Sequence, residues 1–237
     1  MLKRAQEVIN AVSKETDSVI LMHSMSGKDS IALLDMLYPK FKTVVCVFMY
    51  IVPNLRHIME YCAWAKRRYP NIRIIQTPHY GLYSYMKSGY MGCPKNDKQR
   101  QWKLSDIVEK VKDKTGIEWV CCGFKQSDSL NRRLMLRSYK DGMEAINWNT
   151  KKFYPLSTYK NKDVLEYIDE CNLKKPERYD NMSQSAGTDI ADYYYLKYLA
   201  VNYPQDLEKI YNQFPATRVI IQNHEAKRDK NDKEESD

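Results

Sequence analysis

The stretch that decides the fold lies near the amino terminus, where Val19-Ile20-Leu21-Met22-His23 is followed by Ser24-Met25-Ser26-Gly27-Lys28-Asp29-Ser30. The four apolar residues at its start have the length of a buried strand. The residues that follow it, 31–37, are apolar at helical spacing and stop near Pro39. The sequence therefore predicts a strand, a polar loop and a helix in that order.

The composition of this loop points to an oxyanion. Gly27 lets the backbone approach closely, Lys28 adds positive charge, and the next helix offers unpaired N–H groups at its start. Three hydroxyls add hydrogen-bond donors: Ser24, Ser26 and Ser30. It is not a Walker loop, because Asp29 follows the Gly-Lys pair where that loop has Ser or Thr. The loop predicts a phosphate site, and the alternative is a serine-capped helix without a ligand.

The rest of the chain continues the alternation of strands and helices. Further strands are expected at residues 44–49, 72–76, 117–123 and 144–148. Helices are expected at residues 5–15, 54–69, 99–114 and 161–171, with a helix after residue 123 and two within 189–214, while 80–100 is expected to be loop. This order favours an α/β domain with a five-stranded parallel sheet flanked by helices and a C-terminal helical extension.

Composition limits the classes of function. The chain has 237 residues and 38 Lys+Arg against 30 Asp+Glu, a surplus of +8 that suits phosphate-bearing partners or reflects a general lysine bias. The six cysteines have no Cys-x-x-Cys spacing and the four histidines show no metal-ligand spacing, so we expect reduced thiols and no zinc. No apolar run is long enough to span a membrane, and we expect a cytoplasmic protein without membrane contact.

Three motifs resemble the PAPS (phosphoadenosine phosphosulfate) reductase-like branch of the adenine nucleotide alpha hydrolase superfamily. The loop is similar to its Ser-Gly-Gly-x-Asp-Ser motif, with Met25 and Ser26 where the family has its first Ser and first Gly. The run from Gly123 to Arg132 resembles its Gly-x-Arg-x-x-Glu-Ser-x-x-Arg motif, and the block from Tyr154 to Asp180 resembles a third. In the second motif Lys125 replaces Arg and Asp128 replaces Glu, and both changes keep the charge.

The resemblance implies a Rossmann-like sheet of the HUP type and attack on the α-phosphorus of ATP, with adenylyl transfer to an unknown acceptor. It implies Lys28 and Asp29 as catalytic residues, and a possible substrate loop at Cys93. The nucleotide-binding residues that it implies are Ser24, Ser26, Gly27, Lys28, Ser30, Lys125, Ser129 and Arg132. ATP or a related adenine nucleotide and Mg²⁺ near Asp29 are the expected cofactors, without a protein metal motif. The expected domains are 1–188 for nucleotide binding, 189–224 as a helical extension and 225–237 as a disordered charged tail.

Two other functions remain open at this point. A thiol-dependent sulfonucleotide reductase needs a nucleophilic thiolate; the Glu-Cys-Gly-Leu motif of known reductases is absent from the tail, and Glu170-Cys171-Asn172-Leu173 resembles it only in letters. The Cys121-Cys122 pair falls in a predicted strand, so we expect core packing and no iron–sulfur cluster.

A nucleotide-gated component of a nucleic-acid complex would use the basic surplus and the 19 tyrosines. The expected partners are a small-molecule nucleotide and a further protein or nucleic acid, and a homodimer is compatible with the sequence.

Overall fold

The computed structural model of the protein describes residues 2–175 and 189–234. The chain separates into two units, each built from several segments of sequence. Unit 1 comprises Met1–Met49, Tyr61–Thr77 and Leu104–Pro176, and unit 2 comprises Tyr50–Glu60, Pro78–Lys103 and Glu177–Asp237. This division differs from the expected single boundary after residue 188, because two early segments group with the C-terminal helices.

A mostly parallel sheet is the centre of unit 1. Within the described residues it has six strands, in the order β3-β2-β1-β4-β6-β5. The strands are β1 (Ser18–Met22), β2 (Thr43–Tyr50), β3 (Ile72–Pro78), β4 (Val120–Cys121), β5 (Ile146–Asn147) and β6 (Lys152–Phe153). β1 pairs in parallel with β2 and β4, and β4 with β6, whereas β5 runs antiparallel to β6. The α/β class is confirmed, but the expected five parallel strands are six with an antiparallel edge.

Helices connect the strands and also form both ends of the described chain. They are α1 (Lys3–Val12), α2 (Lys28–Leu37), α3 (Arg56–Arg68), α4 (Tyr80–Ser88), α5 (Leu104–Thr115), α6 (Leu130–Arg137), α7 (Asn161–Glu170), α8 (Tyr193–Asn202), α9 (Pro204–Gln213) and α10 (Arg218–Glu234). Two short 3-10 turns lie at Tyr90–Gly92 and Pro215–Thr217. Within the parts of the chain that are described, no helix has the length and apolar character needed to cross a membrane.

The core of unit 1 fixes the position of α2. Ile20, Val45 and Val120, from three neighbouring strands, are fully buried together, with Val108 and Val111 of α5 against them. Of the eight consecutive residues 30–37 of α2, seven are buried, and Asp35 is the exception. The Asp35 carboxylate accepts hydrogen bonds of 2.8 Å from the hydroxyls of Tyr69 and Tyr167. These contacts hold α2 to α7 and to the end of α3.

Two regions fold differently from the expectation. Residues 80–88 form α4 rather than a loop, because the His79 side chain caps its start by accepting from Gly81 N at 3.0 Å and Gly89 ends it with a φ of +72°. Helix α10 continues to Glu234, so helix replaces the expected disorder over most of the tail. The lysine and glutamate residues of this stretch are good helix formers, although they offer little to bury. The end of the third motif, residues 176–180, lies outside the described residues.

Unit 2 is held together by a buried polar network. The carboxylate of Asp206, on α9, accepts from the His57 backbone N–H at 3.1 Å and lies 3.0 Å from His57 Nδ1. The Tyr195 hydroxyl contacts His57 Nε2 at 3.2 Å, and all three side chains are at least 98% buried. Lys209 binds Asp206 and the carbonyl oxygen of Asn54. The network joins residues 54–57 to the C-terminal helices.

Candidate nucleotide site

The loop between β1 and α2 lies at the carboxyl end of the central strand. Its tightest point is Gly27, where an added Cβ would lie 2.2 Å from Ser24 Oγ. Only glycine fits here without moving the serine, although the backbone of Gly27 (φ −80°, ψ 134°) is open to any residue. The glycine is therefore required by a close approach within the loop rather than by its conformation.

Two of the expected phosphate-binding hydroxyls bind each other. Ser30 Oγ accepts from the Ser24 backbone N–H at 3.0 Å and lies 3.1 Å from Ser24 Oγ. Ser30 is buried, whereas Ser24 is exposed and Ser26 is half-buried. The structure thus brings Ser24 and Ser30 into contact, with Ser30 closing the loop, and leaves Ser24 and Ser26 at least partly exposed.

The start of α2 has no side-chain cap among the described residues. Its first backbone hydrogen bond runs from Ile31 N to Gly27 O at 3.0 Å, so the N–H groups of Lys28, Asp29 and Ser30 precede the helical ladder. Unpaired N–H groups and the positive end of the helix dipole favour an anion at this place. Lys28, with a side chain 12% exposed, stands at the first helical position.

A chain of charges links this loop to the second motif. Asp29 Oδ2 lies 3.3 Å from Lys28 Nζ and 2.8 Å from Lys125 Nζ. Lys125 Nζ also contacts Asp128 Oδ1 at 3.1 Å, and Asp128 Oδ2 lies 2.7 Å from Arg132 Nη1. The two motifs are about 95 residues apart in sequence, and the structure joins them through Asp29.

The neighbours of Lys125 decide what it can contact. Its side chain is only 1% exposed, and its ammonium lies between two carboxylates. Burial of a lysine is tolerated when it is paired in this way. Such an ammonium is committed to Asp29 and Asp128, so the geometry favours a role in positioning Asp29. Lys28 is the more exposed of the two lysines.

Asp128 belongs to the second motif, but it was not among the expected site residues. Burial raises its pKa, but hydrogen bonds from the Lys125 backbone N–H, the Lys125 ammonium and Arg132 lower it more, and the net pKa is lowered. Its position three residues after Lys125 and four before Arg132 is a signal for such pairing. Arg132 also lies over the ring of Phe124, with 4.1 Å between the guanidinium carbon and the ring centroid.

The remaining predicted residues have structural partners. Ser129 caps α6, and its hydroxyl accepts from Arg132 N at 3.2 Å. Cys93 belongs to unit 2, where burial raises its pKa and its thiol lies 3.2 Å from the Tyr85 carbonyl oxygen. Cys121 and Cys122 are buried at β4, and burial raises the pKa of Cys122 to about 12. A buried thiol with a raised pKa is a poor nucleophile.

Gly123 explains how the two motifs come so close. A Cβ at this position would lie 3.1 Å from Asp29 Cβ and 3.5 Å from Leu33 Cδ1. The small residue therefore lets α2 pack directly against the end of β4. The sequence profile of the phosphoadenosine phosphosulfate reductase domain family matches residues 20–189, which include the end of β1, all of α2 and this contact. The chain belongs to this family. The resemblance to the PAPS reductase-like branch of the adenine nucleotide alpha hydrolases is thereby confirmed.

Three solved structures are among those similar to this PAPS reductase domain protein. The U34-tRNA thiolase NcsA of Methanococcus maripaludis, solved with its [4Fe-4S] cluster, is 13% identical with a TM-score of 0.47, over 95% of this chain and 76% of that one. The PAPS reductase of Candida auris in a phosphate complex is 15% identical with a TM-score of 0.48, over 73% and 82%. The NH3-dependent NAD synthetase of Campylobacter jejuni with nitrate is 12% identical with a TM-score of 0.49, over 92% and 95%. No curated protein sequence matches the chain.

The expected set of cofactors needs correction. The family resemblance predicts ATP with Mg²⁺, and the position and spacing of the cysteines predict no iron–sulfur cluster. The tRNA thiolase contradicts this expectation, because it was solved with a [4Fe-4S] cluster. Over residues 2–175 and 189–234, no group of three or more His, Cys, Asp or Glu side chains could hold a metal ion.

Proposed function

We propose that the protein binds the phosphates of an adenine nucleotide at the loop between β1 and α2 and transfers the adenylyl group to an acceptor. The acceptor attacks the α-phosphorus, the bond from Pα to the bridging oxygen breaks, and pyrophosphate leaves with the electron pair. The proton of the acceptor passes to solvent, and no atom is oxidised or reduced. Membership of the family supports the binding of an adenine nucleotide, and the transfer of the adenylyl group is the proposed step.

The observation that carries the proposal is the uncapped start of α2 next to Lys28. Its three leading N–H groups have no side-chain acceptor among the described residues, and Gly27 adds no side chain of its own beside them. Polyphosphate oxygens would satisfy these donors, which otherwise depend on water. The loop follows the carboxyl end of β1, where parallel α/β sheets bind ligands, and this position supports an anion site there.

Each charged residue has a distinct task in this proposal. Lys28 is close enough to the helix start to stabilise the charge that develops on the departing pyrophosphate. Asp29 contacts both Lys28 and Lys125, so it holds the Lys28 ammonium in place. Lys125 pairs with Asp29 and Asp128 rather than with the nucleotide. Arg132 forms the last ion pair of this chain of charges, with Asp128.

The test compares Lys28→Ala with Lys162→Ala, since Lys162 is an exposed lysine on α7 of the same unit, with a side chain 84% exposed. Equilibrium dialysis with labelled ATP measures binding, and release of pyrophosphate and AMP with candidate acceptors measures turnover. A charge-assisted hydrogen bond contributes about 1.5–3 kcal/mol, so Lys28→Ala should bind ATP about 10- to 100-fold more weakly. Lys162→Ala should bind as the wild type does. Unchanged affinity in Lys28→Ala would remove the loop from the site.

A second candidate is a thiol-dependent sulfonucleotide reductase, which the description of the family favours. Of the six cysteines only Cys171 is not buried, and it lies within the matched segment. Its thiolate would attack the sulfur of PAPS and release the nucleotide, and an added dithiol would then release sulfite and become a disulfide. Sulfite formation from PAPS and dithiothreitol that is lost in Cys171→Ser, but kept in Cys62→Ser, would favour this function over adenylyl transfer.

A further inference from the structure

His23, between β1 and the loop, is a buried histidine whose two ring nitrogens have different surroundings. Its side chain is 3% exposed, and Nδ1 accepts a hydrogen bond of 2.7 Å from the Met25 backbone N–H. Because an N–H can bind only an unprotonated ring nitrogen, the ring proton is on Nε2. Nε2 is buried and has no hydrogen-bond partner among the described residues.

Met25, the partner of His23, has an unusual backbone conformation. Its φ is +60°, in the left-handed region that favours glycine, and its side chain is 1% exposed. The same turn contains a hydrogen bond of 2.8 Å from the Ser26 backbone N–H to the Ser24 carbonyl oxygen. The chain thus makes its bend after β1 with a bulky residue, so the strained conformation must be held by contacts.

We propose that His23 is a positioning residue of the phosphate loop, whose Nδ1 holds the Met25 N–H and so keeps Met25 left-handed, directing the chain towards Gly27 and the start of α2. The inference rests on the proposed function in one respect, namely that the loop binds phosphates. Met25 and Ser26 replace the Ser-Gly pair of the family motif. Met25 lacks the conformational freedom of glycine, and the hydrogen bond from its N–H to His23 holds its left-handed backbone.

Two further observations support a specific use of the imidazole. Burial lowers the pKa of His23 to about 3, so the lone pair on Nδ1 stays available near neutral pH. An apolar side chain of similar size would fill the same space without burying an unpartnered N–H on Nε2, which is costly. The presence of histidine is therefore explained by the acceptor at Nδ1 and not by packing alone.

The experiment uses three substitutions of His23 that separate the acceptor from the volume. In His23→Asn the amide oxygen can take the place of Nδ1, in His23→Gln the amide lies near the place of Nε2, and in His23→Leu the acceptor is lost. Amide hydrogen exchange of residues 23–30 reports on the loop directly, with α1 as an internal reference. Equilibrium dialysis with ATP reports on binding.

We expect His23→Gln and His23→Leu to exchange amide hydrogens about tenfold faster over residues 23–30, with α1 unchanged, and to bind ATP about tenfold more weakly, while His23→Asn stays close to the wild type. Equal behaviour of Asn and Gln, or faster exchange throughout unit 1 in all three variants, would overturn the inference in favour of a packing role. If the wild type does not bind ATP, the proposed function fails, and the exchange measurement still decides the role of His23.

Discussion

The contact at Gly27 gives a quantitative prediction for Gly27→Ala. The new Cβ would lie 2.2 Å from Ser24 Oγ and 3.4 Å from Ser24 Cβ, and the first distance is more than about 1 Å shorter than a normal contact. To relieve it, the serine hydroxyl must rotate away and lose its 3.1 Å contact with Ser30 Oγ, which costs about 0.5–1.5 kcal/mol. With the loop shift that accompanies overpacking, we expect a loss of about 1–3 kcal/mol.

A second substitution isolates the cause of this loss. In a Ser24→Ala background the 2.2 Å contact disappears and the next neighbour, Ser24 Cβ, is at 3.4 Å. The backbone of Gly27 suits alanine, so Gly27→Ala should then be neutral or stabilising by about 0.4–1 kcal/mol through the unfolded state. Urea denaturation of the four proteins, followed by circular dichroism, measures the coupling. An equal effect of Gly27→Ala in both backgrounds would refute this explanation of the glycine.

Three further predictions concern the charges and the thiols. Lys125→Met leaves Asp29 and Asp128 without their shared ammonium, so we expect a loss of about 3 kcal/mol in urea denaturation; a loss below about 1 kcal/mol would contradict the buried pairing. Since the pKa of Asp128 is lowered from 3.8, its charge stabilises the fold fully above that value and less as the pH falls through the lowered pKa. The difference in the free energy of unfolding between the wild type and Asp128→Asn should therefore disappear below about pH 4. A difference that increases below that pH would contradict this expectation. Cys171, the one thiol that is not buried, should account for the fast phase of reaction with a thiol reagent, and a fast phase that survives in Cys171→Ser would show that another thiol is accessible.

The first half of the sheet could be predicted because its signals are local. Strand β1 and helix α2 begin and end close to the expected residues, since a short apolar run and a helical repeat are visible in the sequence itself. The antiparallel edge was missed: β5 and β6 are joined by a turn without glycine, in which Lys151 takes a φ of +51°. Asn-Gly and Asp-Gly pairs, the usual hairpin signals, are absent from that turn.

In the candidate site, too, the sequence predicted the local features but not the contacts between distant segments. The sequence indicated that the loop and the second motif belong together, because both follow strands of one parallel sheet. It could not show that Lys125 is buried between two carboxylates, since Asp29 reaches it from a distant segment through the space left by Gly123. Nor could it show that the hydroxyls of Ser24 and Ser30 bind each other. These contacts depend on packing distances of tenths of an ångström, which no local pattern encodes.

The polar network of unit 2 has a consequence for synthesis of the protein. Its hydrogen bonds from His57 to Asp206 and from Lys209 to Asn54 span 149 and 155 residues. A growing chain exposes residues 54–57 on the ribosome well before α9 is translated, and this unit completes its interior only near the end of elongation. A truncated chain that ends at residue 188 would leave the His57 amide without its Asp206 acceptor, so the interior of unit 2 depends on residues from both ends of the chain.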